Sequence, residues 1–143
     1  MALSKSIVTV VMSLAFSASM ASESSSKETP EWFVITNSSD NTKIYSGKSG
    51  SLEITSTKSG VPVVTIIGQI EDKTNSEFQY NKWYVPVDDC RKESGQMAIL
   101  SISGDYIDEV GFVLGGNNIA SGIANVICGG YDIKKKDIEG KGL

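Results

Sequence analysis

Short runs of β-branched and aromatic residues, each closed by a polar turn, fill most of the chain between residues 31 and 114. Residues 31–36, 42–46 and 51–55 are separated by Asn37-Ser38-Ser39-Asp40 and by Ser46-Gly47-Lys48-Ser49-Gly50, which is turn chemistry. Three strands in a meander are therefore expected. Residues 61–70 are apolar at nearly every position, the pattern of a central strand covered on much of both faces. Residues 78–87 alternate, with Phe78, Tyr80, Lys82 and Tyr84 on one side and Gln79, Asn81, Trp83 and Val85 on the other. Pro86 cannot donate to a sheet ladder, so this strand should end or bulge there, just before Asp88-Asp89-Cys90. Two further strands, 96–103 and 109–114, are joined through Gly104-Asp105-Tyr106.

After residue 114 the period changes. The stretch GGNNIASGIANVIC carries Ile119, Ile123 and Ile127 four residues apart, with Ala120, Ala124 and Cys128 beside them. That spacing makes one narrow apolar helical face, expected to lie on the sheet. Asn117 or Asn118 would cap it by accepting from the amides of its first turn. Gly122 costs about 1 kcal/mol of helix propensity but permits a close approach to the strands. Gly129-Gly130 is expected to stop the helix, leaving 131–143 as a disordered polar tail. The fold class predicted is α+β: an antiparallel, meander-like sheet of about six or seven strands with one C-terminal helix packed on it.

The glycine turn at Gly115-Gly116 raises the question of a phosphate cradle. A dinucleotide fingerprint needs G-x-G-x-x-G between a strand and a helix, followed by another parallel strand and an acidic residue. Here the next glycine is Gly122, no P-loop lysine follows, and the chain soon ends. The glycines are better explained by a turn with unusual backbone angles.

The N-terminus changes the picture of where the protein works. Lys5 precedes an apolar stretch over 7–20, and Ser19-Met20-Ala21 places small residues where signal peptidase requires them. Cleavage after Ala21 is expected, since the apolar stretch falls short of the roughly 20 residues that cross a bilayer. Residues 22–30, serine-rich and polar, read as a flexible leader, and 31–130 as a single domain. In an exported chain the only two cysteines, Cys90 and Cys128, are most simply one disulfide. The chain-entropy model gives that crosslink an upper figure of roughly 4 kcal/mol.

Charge and residue types then remove options. A formal net charge of −4 makes an extended nucleic-acid surface improbable. The chain contains no histidine, so a Ser-His or Cys-His pair and the commonest zinc ligand are absent, and no cofactor or metal is expected. Asp88, Asp89 and Glu93 form one acidic group and Asp105, Asp108 and Glu109 another, without the regular spacing of a calcium loop. Solvated turn carboxylates explain them, although they could also mimic an acidic ligand. Trp32, Trp83, Tyr45, Tyr80, Tyr84 and Tyr106 hold the material for an aromatic contact patch, set against ordinary packing in the sheet. Lys134, Lys135 and Lys136 form a local basic run able to attract a polyanion or a protein, or simply to be solvated.

The order of these pieces resembles a family. A tryptophan-led first strand at Trp32, a KIY strand at Lys43 to Tyr45, an apolar central strand, KWYVPVDDC and a final NNIASGIANVIC are similar to the surface-adhesin protein E-like group of small exported bacterial proteins. The resemblance spans about Glu31 to Cys128. It implies an antiparallel sheet with a packed C-terminal helix, a cysteine late in a strand matched to one ending the helix, and adhesion to host matrix or serum proteins. This chain departs from the group in lacking a lipidation cysteine and in carrying a polar tail. The function expected is an exported, non-enzymatic protein-binding module, adhesin-like and periplasmic, secreted or displayed on the cell surface. The alternative is a periplasmic inhibitor or immunity protein against a cell-wall-active enzyme. The candidate contact residues are Asp88, Asp89, Lys134, Lys135 and Lys136.

Overall fold

The computed structural model describes residues 31–141. The signal peptide expected at 1–21 and the leader at 22–30 lie outside the described residues. Seven strands form one antiparallel sheet: β1 (Trp32–Asn37), β2 (Lys43–Lys48), β3 (Glu53–Ser56), β4 (Pro62–Asp72), β5 (Glu77–Pro86), β6 (Ser94–Leu100) and β7 (Tyr106–Val113). A short helix, α1 (Val87–Lys92), separates β5 from β6, and a long one, α2 (Ile119–Lys141), follows β7. The fold is α+β, with the strand order β1-β2-β4-β5-β6-β7.

The strand β4 organises the sheet. Nearly its whole length pairs with β5, from Val63 opposite Pro86 to Asp72 opposite Glu77. On its other side it pairs with two short strands in turn, β2 over Gly68–Asp72 and β3 over Pro62–Thr65. The expected three-strand meander therefore breaks between β2 and β3, which do not pair with each other but continue one another along β4. A side chain fills the gap: the Ser51 hydroxyl accepts from the Ile67 amide at 3.0 Å and donates to the Lys48 carbonyl at 2.8 Å. An amide that would otherwise lack a strand partner is thus satisfied.

One face of the sheet is dry. Val64 and Ile66 of β4, Trp83 and Val85 of β5, Met97 of β6 and Phe112 of β7 are all buried under α2. The helix contributes the face its spacing predicts, with Ala120, Ile123, Ala124, Ile127 and Cys128 at 5% exposure or less. Small residues set the depth of contact. A Cβ on Gly122 would lie 3.4 Å from the Cβ of Thr36, and one on Gly68 would overlap the Trp83 ring. The Trp83 ring therefore lies flat over a glycine in the neighbouring strand, where a larger side chain would displace it.

Two helical expectations need correction. The chain does end its strand at Pro86, but it then turns into α1 instead of a loop, so Cys90 sits in a helix and not late in a strand. The residues Asp88 and Asp89 in the first turn and Arg91 and Lys92 in the last complement the helix dipole, which favours this turn. Nor does Gly129-Gly130 stop α2, which runs on to Lys141, so 131–141 is helical where a disordered tail was expected. Gly130 serves as a contact point: a Cβ there would come within 2.6 Å of Leu52. Beyond it Tyr131 is again buried, which gives the helix a packing reason to continue.

The bond between Cys90 and Cys128 is formed, with a Cα separation of 5.5 Å across 38 residues of sequence. It joins α1 to the middle of α2, tying the two helices together above the β5–β6 connection.

Candidate functional site

The glycine turn before α2 is closed by its own side chains. The Asn118 Oδ1 accepts from the Ser121 amide at 2.9 Å, making Asn118 the cap, while its Nδ2 donates to the Gly111 carbonyl at 3.0 Å. The Ser121 hydroxyl accepts from Val113 N, and Asn125 Oδ1 accepts from Gly115 N. The amides of Gly115, Gly116 and Ser121, which a phosphate would use, already have partners.

The acidic candidates are likewise engaged and are kept apart. Asp88 accepts from Arg91 Nη1 at 3.3 Å, and Asp89 accepts from the Gln96 amide at 3.1 Å with Lys92 4.0 Å away. Asp105 closes the β6–β7 turn, accepting from the Ser103 hydroxyl. One group stands in and just after α1, and the other runs from the β6–β7 turn into β7, where Asp108 and Glu109 lie opposite Ile99 and Ala98, so the sheet does not assemble them into one constellation. Among the described residues no three His, Cys, Asp or Glu side chains group as metal ligands do. The lysine run is also divided, because helical geometry turns neighbours by about 100°. Lys134 lies towards Ile54 of β3, and Lys135 towards the disulfide and Arg91.

What the structure does bring together is the face of the sheet opposite α2. Register places Trp32, Val34, Ser46, Gln69, Phe78 and Tyr80 on this face at one end of the long strands. Val34 is 65% exposed, Phe78 51% and Tyr80 46%. The Trp32 and Tyr80 rings meet with centroids 5.7 Å apart, although β2 and β4 lie between their strands. They reach each other over small or slender residues, and Ser46 beneath is buried. At the other end the same face carries Lys82, Tyr84, Leu100 and Tyr106.

The aromatic set named from the sequence is thereby sorted. Trp83 is core, with Tyr45 tilted against it at 6.5 Å, whereas Trp32, Tyr80, Tyr84 and Tyr106 belong to the open face. Alternation in β5 gave that division for Tyr80, Tyr84 and Trp83. Phe78 and Val34 were not singled out, although Phe78 stands on the same side of the alternation as Tyr80 and was legible there.

Comparisons of the chain with protein-family models, with curated proteins and with solved structures return no match. Among the described residues, no helix is long and apolar enough to cross a membrane.

Proposed function

We propose that this chain is an exported, non-enzymatic protein-binding module of the adhesin type, and that it holds its partner with the open sheet face. The observation that carries the reading is the asymmetry of the two faces. One is sealed by α2, while the other presents Val34, Phe78 and Tyr80 to solvent, with the half-buried Trp32 ring packed on Tyr80, as an aromatic and aliphatic patch. Large aromatic side chains held on a rigid sheet are the usual anchors of protein interfaces. The disulfide fits an oxidising compartment, as does the signal-like N-terminus. The similarity to the protein E-like group supports host matrix or serum proteins as the partner class.

The test is binding of the oxidised protein to immobilised extracellular-matrix and serum proteins. The double variant Phe78→Ser, Tyr80→Ser should bind at least about tenfold more weakly, as loss of interface anchors does. A variant with Lys134, Lys135 and Lys136 replaced by Gln should keep most of its binding. Undiminished binding by the aromatic variant would remove the open face from the account.

A further inference from the structure

A second feature of the open face stands apart from the aromatic patch, at the opposite end of β4 and β5. It is a cleft of about 560 Å³ that crosses the strands. The β3–β4 turn, carrying Lys58, walls one side, and Tyr106 at the start of β7 walls the other. Between them the floor presents Thr55, Thr65, Lys82 and Tyr84. Register fixes the spacing: Leu100 of β6 lies opposite Lys82 on one side and opposite Tyr106 on the other. Lys82 and Tyr106 are therefore two strand spacings apart, about 10 Å. Leu100 fills the floor between them, so a pyranose ring would lie above it, flanked by the lysine and the tyrosine.

Several polar groups of this cleft have no partner in the fold, although Thr57 is engaged with Ser59 and the Val61 amide. Among the described residues, the hydroxyls of Thr55 and Thr65 make no hydrogen bond, and Lys58 and Lys82 take part in none of the ion pairs, which are Lys48–Glu31, Arg91–Asp88 and Lys92–Asp89. The contrast with the glycine turn is direct, since there Asn118, Ser121 and Asn125 are all engaged. Tyr106 is held protonated above its ordinary range, by partial desolvation first and then by the charges of Glu109 and Asp108, so it stays a neutral ring. Glu53 also lines the cleft and Glu109 and Asp108 stand beside Tyr106, so Lys58 and Lys82 supply a local cationic edge and not a net positive cleft.

We propose that this cleft binds a carboxylated sugar unit of a glycan. Tyrosine rings and an apolar floor of Val63 and Leu100, bordered by the hydroxyls of Thr55 and Thr65, match a saccharide, whose ring faces are apolar and whose edge is polar. The Tyr84 and Tyr106 rings offer surfaces for the C–H face of a pyranose, Thr55, Thr65 and Glu53 pair with its hydroxyls, and Lys82 with Lys58 neutralises its carboxylate. The site is independent of the aromatic patch, and either can fail without the other.

The experiment is a titration of the isotopically labelled, oxidised protein followed by NMR. The probes are a hyaluronan tetrasaccharide, which carries glucuronate, the neutral N-acetylglucosamine tetramer and a tetraglutamate peptide. The acidic saccharide should shift resonances of Lys82, Tyr84 and Tyr106, and bind about fivefold more tightly than the neutral one, the scale of an exposed ion pair. Lys82→Gln should reduce that preference, lowering the affinity for the acidic saccharide more than for the neutral one, and Tyr106→Ala should weaken both sugars. Its dispersed amide spectrum serves as the control for folding. Shifts confined to Lys134, Lys135 and Lys136, no shifts at all, or equal binding of tetraglutamate at the cleft would each overturn the assignment.

Discussion

The two faces of the sheet are built from the same strands, yet they are organised by different physics. Along β5, Asn81, Trp83 and Val85 are buried beneath α2, while their neighbours Phe78 and Tyr80 are exposed and Lys82 and Tyr84 are half-buried. The covered face is specified by volume: the Trp83 ring fits because Gly68 has no side chain, and α2 sits close because Gly122 and Gly130 do not hold it away. The open face is less constrained: Ser46, Val63 and Ala98 are buried on it, but Val34, Phe78 and Tyr80 answer to solvent and to whatever binds. Substitutions should therefore divide sharply by face, those below α2 reading out as stability and those opposite as binding.

The largest effect expected is from Trp83→Ala. Truncating a buried aromatic leaves a cavity and costs about 3–5 kcal/mol, a large share of the stability of a domain of this size. Phe78→Ser, five positions earlier on the same strand, should leave stability within about 0.5 kcal/mol of the parent. Urea denaturation of both variants measures the split. Equal losses would mean that the open face is packed against something in solution.

Next comes the crosslink. Replacing Cys90 and Cys128 with alanine should lower stability by up to about 4 kcal/mol, the chain-entropy figure for a loop of 38 residues. The loss should leave the open face intact, because the bond joins α1 to α2 on the covered side. Denaturation of the oxidised protein with and without reductant gives the same comparison without mutation.

The sheet and the covered face of α2 were legible because their periods are strong: alternation sorted Phe78 and Tyr80 from Trp83, and the four-residue isoleucine spacing aligned the helix. The pairing of β3 was not legible, because it depends on Ser51 reaching Ile67 across the gap, a contact between residues far apart in sequence. The short α1 was hidden by its content, since Asp88 and Asp89 read equally well as a solvated turn. The cleft at Lys82 and Tyr106 was invisible for a related reason. Its walls come from five strands and meet only in three dimensions.

The end of α2 offers a sharper test of sequence against structure. A glycine that stops a helix does so in the left-handed region, where alanine is strained, whereas a glycine within a helix is simply weaker than alanine. Neither Gly129 nor Gly130 has a positive φ, and a Cβ on Gly129 would meet nothing within 4 Å. Gly129→Ala should accordingly stabilise the protein by about 1 kcal/mol and raise its helical circular dichroism. A destabilised variant would restore the helix stop at this position.

The smallest effect lies on neither face, in the turn between β1 and β2. The Asp40 carboxylate accepts from the Thr42 hydroxyl at 2.7 Å, the Ser38 hydroxyl at 2.7 Å and the Thr42 amide at 3.0 Å. These bonds, led by the Thr42 hydroxyl, hold its pKa down at about 2 against an ordinary 3.8. A carboxyl depressed on folding stabilises the native state when ionised, so its contribution is complete above 3.8 and disappears as pH falls through about 2. Asp40→Asn removes the titration while keeping the shape. The stability difference between parent and variant should be constant above about pH 5 and should shrink steadily below it. Denaturation curves across that range measure it, and because the turn belongs to neither face, the variant should bind the open-face partner as the parent does. A difference that stayed flat down to pH 2 would show that the three hydrogen bonds do not favour the ionised carboxylate.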